Sequence, residues 1–156
     1  MVIIGVDPGF TGAVAIWRPA IRSLYVYDMP VLPNAKGKTE LDLHSLFDLL
    51  APEDDTPHLA VVEQVHAMRG QGVTSMFRFG QGDGAIQMGL AAHKLPVQYV
   101  TPMKWKAHFG LTRDKGVSRG MAMQRFPEFA DKFKRVRDDG RAEAALIALY
   151  GQEVLL

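Results

Sequence analysis

The run from Leu59 to Glu63 does most to limit the folds open to this chain. It holds four apolar residues in succession and ends on an acid. A run this short suits a β-strand, and unbroken apolarity is typical of a strand that is buried on both faces of a sheet. Helices are then expected on both sides of that sheet. The sequence therefore predicts a fold of the α/β class.

Three further strands are predicted before this run. Val2 to Asp7, Ala13 to Trp17 and Leu24 to Asp28 are separated by turn-forming Pro and Gly residues, which favours an antiparallel meander. After these strands, Pro30, Pro33 and 34–38 have loop composition, and a helix is predicted near 40–51. The buried strand follows, and then a loop over 69–74, a helix over 75–95 and a strand over 97–100. The chain ends with basic helical segments near 103–109 and 115–125 and a helix over 138–151. The absence of a linker or repeat predicts one domain over residues 1–156.

Charge is distributed unevenly along the chain. Residues 1–100 contain seven Lys and Arg against ten Asp and Glu, whereas 101–137 contain ten Lys and Arg against three Asp and Glu. Such a basic segment is either a solvated helical face or a surface that binds phosphate groups. Charge alone leaves both interpretations open.

Composition excludes several classes of protein. With no Cys, there is no disulfide framework and no thiolate metal site, and the five His residues lack the spacing of a zinc site. The glycines between Gly70 and Gly84 lack the Lys-Ser/Thr of a phosphate loop, so no nucleotide cofactor is expected. No apolar run approaches the ~20 residues of a membrane span, and Met1 leads directly into the first strand without a signal peptide. We expect a cytoplasmic protein.

Four acidic residues are candidates for one site. Asp7 and Glu63 each end a predicted strand, and the carboxyl ends of strands are where α/β sheets bind ligands. Asp139 and Glu143 share one face near the start of the last helix. Asp7 could instead be a turn residue, and Asp138 or Asp139 a helix cap. Because no base adjoins the acids in sequence, we expect them to bind Mg²⁺ or Mn²⁺.

Three segments together resemble one known family. They are 3–12 (IIGVDPGFTG), 61–65 (VVEQV) and 138–148 (DDGRAEAALIA). At these separations they resemble the RuvC-type Holliday junction resolvases, and among these the small, phage-like members. The resemblance covers nearly the whole chain. It implies an RNase H-like fold with a mixed five-stranded sheet flanked by helices.

The resemblance also implies catalytic and metal-binding roles for individual acids. Asp7 corresponds to the family's first-strand aspartate, Glu63 to its central glutamate, and Asp139 with Glu143 to the pair on the final helix. Bacterial members usually carry two aspartates three residues apart at that pair. Here the spacing is four, and Asp138 remains an alternative to Asp139.

Five residues are candidate contacts to nucleic acid. Lys106 and Lys115 resemble the family's two lysines near the active site, and Arg119 lies one helical turn beyond Lys115. His66 stands where bacterial members often have phenylalanine, and Arg69 follows in the same loop.

The function implied is that of a metal-dependent endonuclease that makes paired nicks across four-way DNA junctions. Two Mg²⁺ ions bridged by Asp7 would serve each site, with Mn²⁺ able to substitute. Symmetric nicking implies a homodimer, and the glycine-bearing helix 75–95 is the candidate interface. The alternatives are another RNase H-like nuclease that acts on branched DNA, flaps or RNA, a non-catalytic nucleic-acid-binding module, and an actin-like ATPase, for which the chain is too short.

Overall fold

The centre of the molecule is a mixed β-sheet. The computed structural model describes residues 1–66, 70, 72–112 and 115–156, and only the backbone of Lys115. Its strands are β1 (Val2–Asp7), β2 (Ala13–Arg18), β3 (Ser23–Asp28), β4 (Val31–Pro33), β5 (Thr39–Leu41), β6 (His58–Glu63) and β7 (Val97–Val100). Five of them form the main sheet in the order β3-β2-β1-β6-β7, while β4 and β5 form a separate ribbon.

Helices cover both faces of the main sheet. They are α1 (Leu43–Leu50), α2 (Val73–Ala92), α3 (Pro102–His108), α4 (Lys115–Arg125) and α5 (Asp139–Tyr150). Leu46 of α1 and Leu90 of α2 belong to the core on one face, whereas Trp105 of α3, Ala122 of α4 and most of α5 belong to the core on the other. This arrangement confirms the predicted RNase H-like fold with a five-stranded sheet flanked by helices.

The pairing of β1 with its neighbours places the acids. β1 runs antiparallel to β2 and parallel to β6, with Val6 opposite Val62. Asp7 and Glu63 therefore end their strands side by side at one edge of the sheet, as the sequence predicts.

Helix α5 approaches β1 unusually closely at Gly5. A Cβ atom on Gly5 would overlap the carbonyl oxygen of Ala144 and lie 2.5 Å from the backbone nitrogen of Ala148. Gly140, at the start of α5, is equally tight, because its Cβ would lie 2.5 Å from the carbonyl oxygen of Thr11. These two contacts fix the height of α5 over the sheet, and with it the positions of the acids on its first turns.

Two local predictions are wrong. The segment from Pro30, predicted as a loop, contains the antiparallel ribbon of β4 and β5. Helix α1 therefore begins at Leu43 instead of near residue 40, and Asp42 caps it by accepting a hydrogen bond from the Ser45 amide. The ribbon forms because the Asn34 side chain accepts hydrogen bonds from two backbone amides of the turn over 34–38. The loop predicted over 69–74 also ends early, since α2 begins at Val73.

Within the described ranges, no helix is long and apolar enough to cross a membrane.

Candidate active site

Three of the predicted acids line one cavity at the carboxyl end of β1. This cavity has a volume of about 480 Å³, and its walls include Asp7, Asp139 and Glu143. Asp7 comes from the end of β1, and the other two come from the first turns of α5. The fold thus brings together acids that are more than 130 positions apart in the chain.

Glu63 lies beside this cavity and is largely buried. Its Oε2 atom accepts a hydrogen bond of 2.7 Å from the indole Nε1 of Trp105, on α3. Burial raises the pKa of Glu63, the Trp105 hydrogen bond lowers it, and the negative charge of Glu143 raises it again; the net effect is a pKa above the ordinary value. Glu63 and Glu143 are therefore close enough to repel each other.

Glu143 is the most buried of the four acids, with 8% of its surface exposed. Its Oε1 atom accepts a hydrogen bond of 3.0 Å from Lys106 Nζ, on α3, and one of 3.2 Å from Ser118 Oγ, on α4. This carboxylate therefore connects the acidic cavity to the basic helices.

Asp139 is also paired with a base. Its Oδ1 atom accepts a hydrogen bond of 2.7 Å from Arg119 Nε, on α4. The expectation that the acids lack basic partners is therefore wrong for Asp139 and Glu143. It failed because Arg119 and Lys106 are distant in sequence and reach the acids only through the packing of α3 and α4 on α5.

Asp138, the alternative to Asp139, has a different environment. Only 1% of its surface is exposed, and its carboxylate accepts hydrogen bonds from the backbone, Nε and Nη2 of Arg135, at 2.7–3.2 Å. Burial raises the pKa of Asp138, but the hydrogen bonds and charge of Arg135 outweigh burial and leave the pKa below its ordinary value. Asp138 holds the turn before α5 together, and it is Asp139 that lines the cavity.

The acids suit a divalent cation in their chemistry. Carboxylate oxygens are the ligands that Mg²⁺ prefers. A cation bound between Glu63 and Glu143 would also reduce the repulsion between their negative charges. In the described part of the chain, no three acidic or imidazole groups already stand as a compact ligand cluster. Lys106 and Arg119 instead neutralise two of the carboxylates. The carboxylate oxygens fit Mg²⁺ as ligands, but the Lys106 and Arg119 side chains compete with a metal ion for two of the carboxylates.

Of the five candidate nucleic-acid contacts, two lie in the acidic site and one lies on the surface near it. Lys106 and Arg119 point into the acidic site, with about one fifth of each side chain exposed. His66 is exposed three residues beyond Glu63. Lys115 begins α4, and its side chain is outside the description. Arg69 also lies outside the described residues.

Several residues of the site escaped the sequence analysis. Trp105 donates a hydrogen bond to Glu63, and Ser118 donates one to Glu143. A further ion pair, Arg141 with Asp28, borders the cavity with both hydrogen bonds at 2.6 Å. One signal was available for Trp105. Thr101-Pro102 starts α3, so that Trp105 falls one turn later, on the same helix as Lys106.

Comparison with known proteins places this fold in a class. No protein-family model matches the sequence, and no curated protein matches it significantly. Solved structures of Holliday junction resolvases do match over nearly the whole chain. The RuvC protein of T. thermophilus in complex with a Holliday junction substrate gives a TM-score of 0.60 at 18% identity, covering 99% of this chain and 97% of that chain.

Two resolvases from other sources share the fold. The yeast mitochondrial Holliday junction resolvase Ydc2 gives a TM-score of 0.55 at 15% identity, over 94% of this chain and 75% of that chain. The fowlpox virus Holliday junction resolvase gives 0.51 at 17% identity over the full length of both. At these identities the likeness establishes a common fold, that of the RuvC-type resolvases.

Proposed function

We propose that this protein is a Holliday junction resolvase, a metal-dependent endonuclease that makes paired nicks across four-way DNA junctions. The observation that carries the proposal is the cavity lined by Asp7, Asp139 and Glu143 at the carboxyl end of β1, with Glu63 at the end of the neighbouring strand β6. The shared fold with junction resolvases and the three sequence motifs support the same function.

The four acids would hold Mg²⁺, with two ions in each active site. Mn²⁺ could replace Mg²⁺ there. Bound metal supplies Lewis-acid charge for in-line attack of water on phosphorus. Trp105 holds the Glu63 carboxylate through its indole N–H, and Lys106 and Ser118 hold Glu143. Lys106 also brings a positive charge to the place where negative charge grows on the phosphate during the reaction.

Binding of DNA is assigned to the basic segment that forms α3 and α4. Lys and Arg contacts to phosphates provide affinity with little sequence information. Selectivity for junctions then depends on shape. A four-way junction has approximate two-fold symmetry, which a two-fold dimer with one site per subunit would match.

The substrate is tested with a panel of nucleic acids. Purified protein is incubated in Mg²⁺ with a mobile four-way junction, a flap, duplex DNA and an RNA–DNA hybrid, and the cut positions are mapped. We expect cleavage of the junction in preference to the others. Preferred cleavage of flaps or RNA would favour the alternative nuclease, and binding to the junction without cleavage would favour a non-catalytic module.

The homodimer is proposed to use one face of α2. Val73, Phe77 and Met88 are exposed by 84%, 66% and 65%, and lie on the same side of the helix as Gly80 and Gly84. No heavy atom lies within 4 Å of where a Cβ would stand on either glycine, in the part of the chain that the structure describes. Glycine in a helix costs about 1 kcal/mol relative to alanine. Contact with a second subunit would offset that cost.

Gly80→Ala tests this interface. In an unpartnered helix the change should stabilise the fold by up to about 1 kcal/mol. At a tight interface the added methyl group should weaken the dimer by about tenfold, as overpacking costs roughly 1–3 kcal/mol. Sedimentation equilibrium of wild type and variant measures this, with Gly120→Ala on α4 as the control. A wild type that is monomeric at assay concentrations, yet nicks junctions symmetrically, would contradict the dimer.

Salt dependence tests the basic residues. We expect junction binding to weaken steeply with salt, and Lys106→Ala, Lys115→Ala and Arg119→Ala each to lower the magnitude of the log–log slope by about 0.9. Lys94→Ala, an exposed change outside the basic segment, is the control. Single-turnover cleavage at saturating enzyme should also slow for Lys106→Ala and Lys115→Ala. Wild-type rates there would limit both lysines to binding, and an unchanged slope would remove them from the DNA surface.

A further inference from the structure

We propose that the turn before α5 forms a subsite for one unpaired nucleotide beside the scissile bond. In this subsite Arg137 contacts a phosphate, and Val31 and Val136 contact the sugar and base. The inference rests on the proposed function and adds to it residues outside the basic helices. It concerns the side of the acidic cavity that is lined by Asp28 of β3 and Val31 of β4.

The size of the cavity limits what can enter. Its volume of about 480 Å³ is in the range of pockets that take small ligands, roughly 300–1,000 Å³. A single nucleotide is of a size that such a space can take. Because Asp7 and Asp139 line the same cavity, a nucleotide bound there would lie next to the bond that is cut.

Charge on the cavity wall singles out Arg137. Arg135 is engaged by Asp138 and Arg141 by Asp28, so each of these arginines is neutralised by a carboxylate. Arg137 lines the same cavity and is exposed, and it forms no ion pair with any residue that the structure describes. Its guanidinium group is therefore available for a phosphate, which it matches in geometry and charge.

Two apolar side chains face the same space. Val136 is 75% exposed and Val31 is 42% exposed, and both line the cavity. One exposed valine is ordinary on a protein surface. Two of them at one cavity, beside an arginine that has no ion pair among the described residues, present the apolar and cationic contacts that a sugar, a base and a phosphate require.

Hydrogen bonds within the turn fix its backbone, so the backbone positions of Val136 and Arg137 are set before DNA binds. The Arg135 amide donates to Asp138 Oδ2 at 2.9 Å, and the Arg135 guanidinium group returns to the same carboxylate. Gly140 then packs against the Thr11 carbonyl, which ties the turn to the loop after Asp7. A binding surface whose backbone is already ordered loses less conformational entropy on binding than one that must be ordered.

The subsite predicts a preference for locally unpaired strands. Removing a base from a stacked duplex costs a few kcal/mol, and the cost is least where the base is already unpaired. The centre of a junction, where strands exchange, offers such nucleotides.

Arg137→Gln tests the subsite, with Arg22→Gln as the control, an exposed arginine that pairs with Glu128. Arg22 is exposed and precedes β3, whose other end, Asp28, borders the cavity, so it lies about 20 Å away by strand length. Junction affinity is measured by fluorescence anisotropy without divalent metal, over a range of salt. We expect Arg137→Gln to weaken binding about tenfold, as for one lost charge-assisted hydrogen bond, and to lower the salt slope by about 0.9, with Arg22→Gln unchanged.

A second measurement reports the base itself. Junctions with 2-aminopurine at successive positions around the cut site become more fluorescent where a base is unstacked. Wild type should raise the signal at one position, and Arg137→Gln and Val136→Ala should each reduce that rise. Wild-type affinity, slope and fluorescence for Arg137→Gln would overturn the subsite while leaving junction cleavage intact. A wild-type protein that neither binds nor cuts junctions would overturn the proposed function, and the subsite with it.

Discussion

The Glu63→Gln variant should lose junction cleavage by at least about a thousandfold while it still binds the junction. The change removes one negative charge and keeps the shape of the side chain, so the amide oxygen can still accept the hydrogen bond from Trp105. If Glu63 is a metal ligand, as we propose, its loss should remove several kcal/mol of transition-state stabilisation, and each 1.36 kcal/mol is a factor of about ten in rate. Binding is expected to persist because we propose that the phosphate contacts come from other residues.

The fold should tolerate this change. Burial and the charge of Glu143 already raise the pKa of Glu63, so a neutral side chain relieves repulsion at that position. We expect the free energy of unfolding to stay the same or to rise. Asp7→Asn, Asp139→Asn and Glu143→Gln should likewise lose cleavage and remain folded.

Asp138→Asn is the matched control for these variants. Its carboxylate is buried against Arg135 and is not one of the four proposed catalytic acids. The loss should therefore appear in stability, by about 1–3 kcal/mol, with cleavage retained below the melting temperature. Single-turnover rates and thermal unfolding of all five variants separate the two effects. An inactive Asp138→Asn beside an active Asp139→Asn would show that the assignment on α5 is wrong by one residue.

The second large effect is expected from Gly5→Ala. A methyl group there would collide with the backbone of α5, which is a rigid helix with no flexible side chain to move aside. Overpacking of a core costs roughly 1–3 kcal/mol and sometimes more, and a backbone clash belongs at the upper end of that range. The variant should unfold at a much lower temperature, or fail to fold.

A glycine in open space provides the contrast. Gly120→Ala, in the middle of α4, has no heavy atom within 4 Å of the added carbon in the described structure, and should gain up to about 1 kcal/mol. Thermal and urea unfolding monitored by circular dichroism compare both variants with wild type. Equal stability of Gly5→Ala and wild type would mean that α5 does not sit on β1 as closely as the structure shows.

The elements that carry the acids were predictable from the sequence. Apolar runs ending at Asp7 and Glu63 predicted two strands, and the alanine-rich segment after Asp139 predicted the last helix. These are long or strongly patterned elements in which local periodicity and tertiary packing agree. The choice between Asp138 and Asp139 stayed open, because both are adjacent acids at a helix start. Tertiary contacts separate them, because Asp138 is buried against Arg135, whereas Asp139 lines the cavity.

What the sequence could not supply depends on packing between distant segments. Lys106 lies 37 positions from Glu143, and Arg119 lies 20 from Asp139, so no local pattern reveals these pairs. The ribbon of β4 and β5 was missed because its strands have three residues each, too few for periodicity to register. Its turn depends on one asparagine side chain.

Cleavage of a supercoiled plasmid that extrudes a cruciform tests the central claim most directly. The cruciform base is a four-way junction, so two opposed nicks within one encounter convert the plasmid to a linear form, whereas a single nick relaxes it to an open circle. We predict that wild type in Mg²⁺ yields mainly linear plasmid, with symmetric cuts at the cruciform base, and that Glu63→Gln yields neither product. Open circles alone, or cutting that does not depend on the cruciform, would contradict the account of this protein as a junction resolvase.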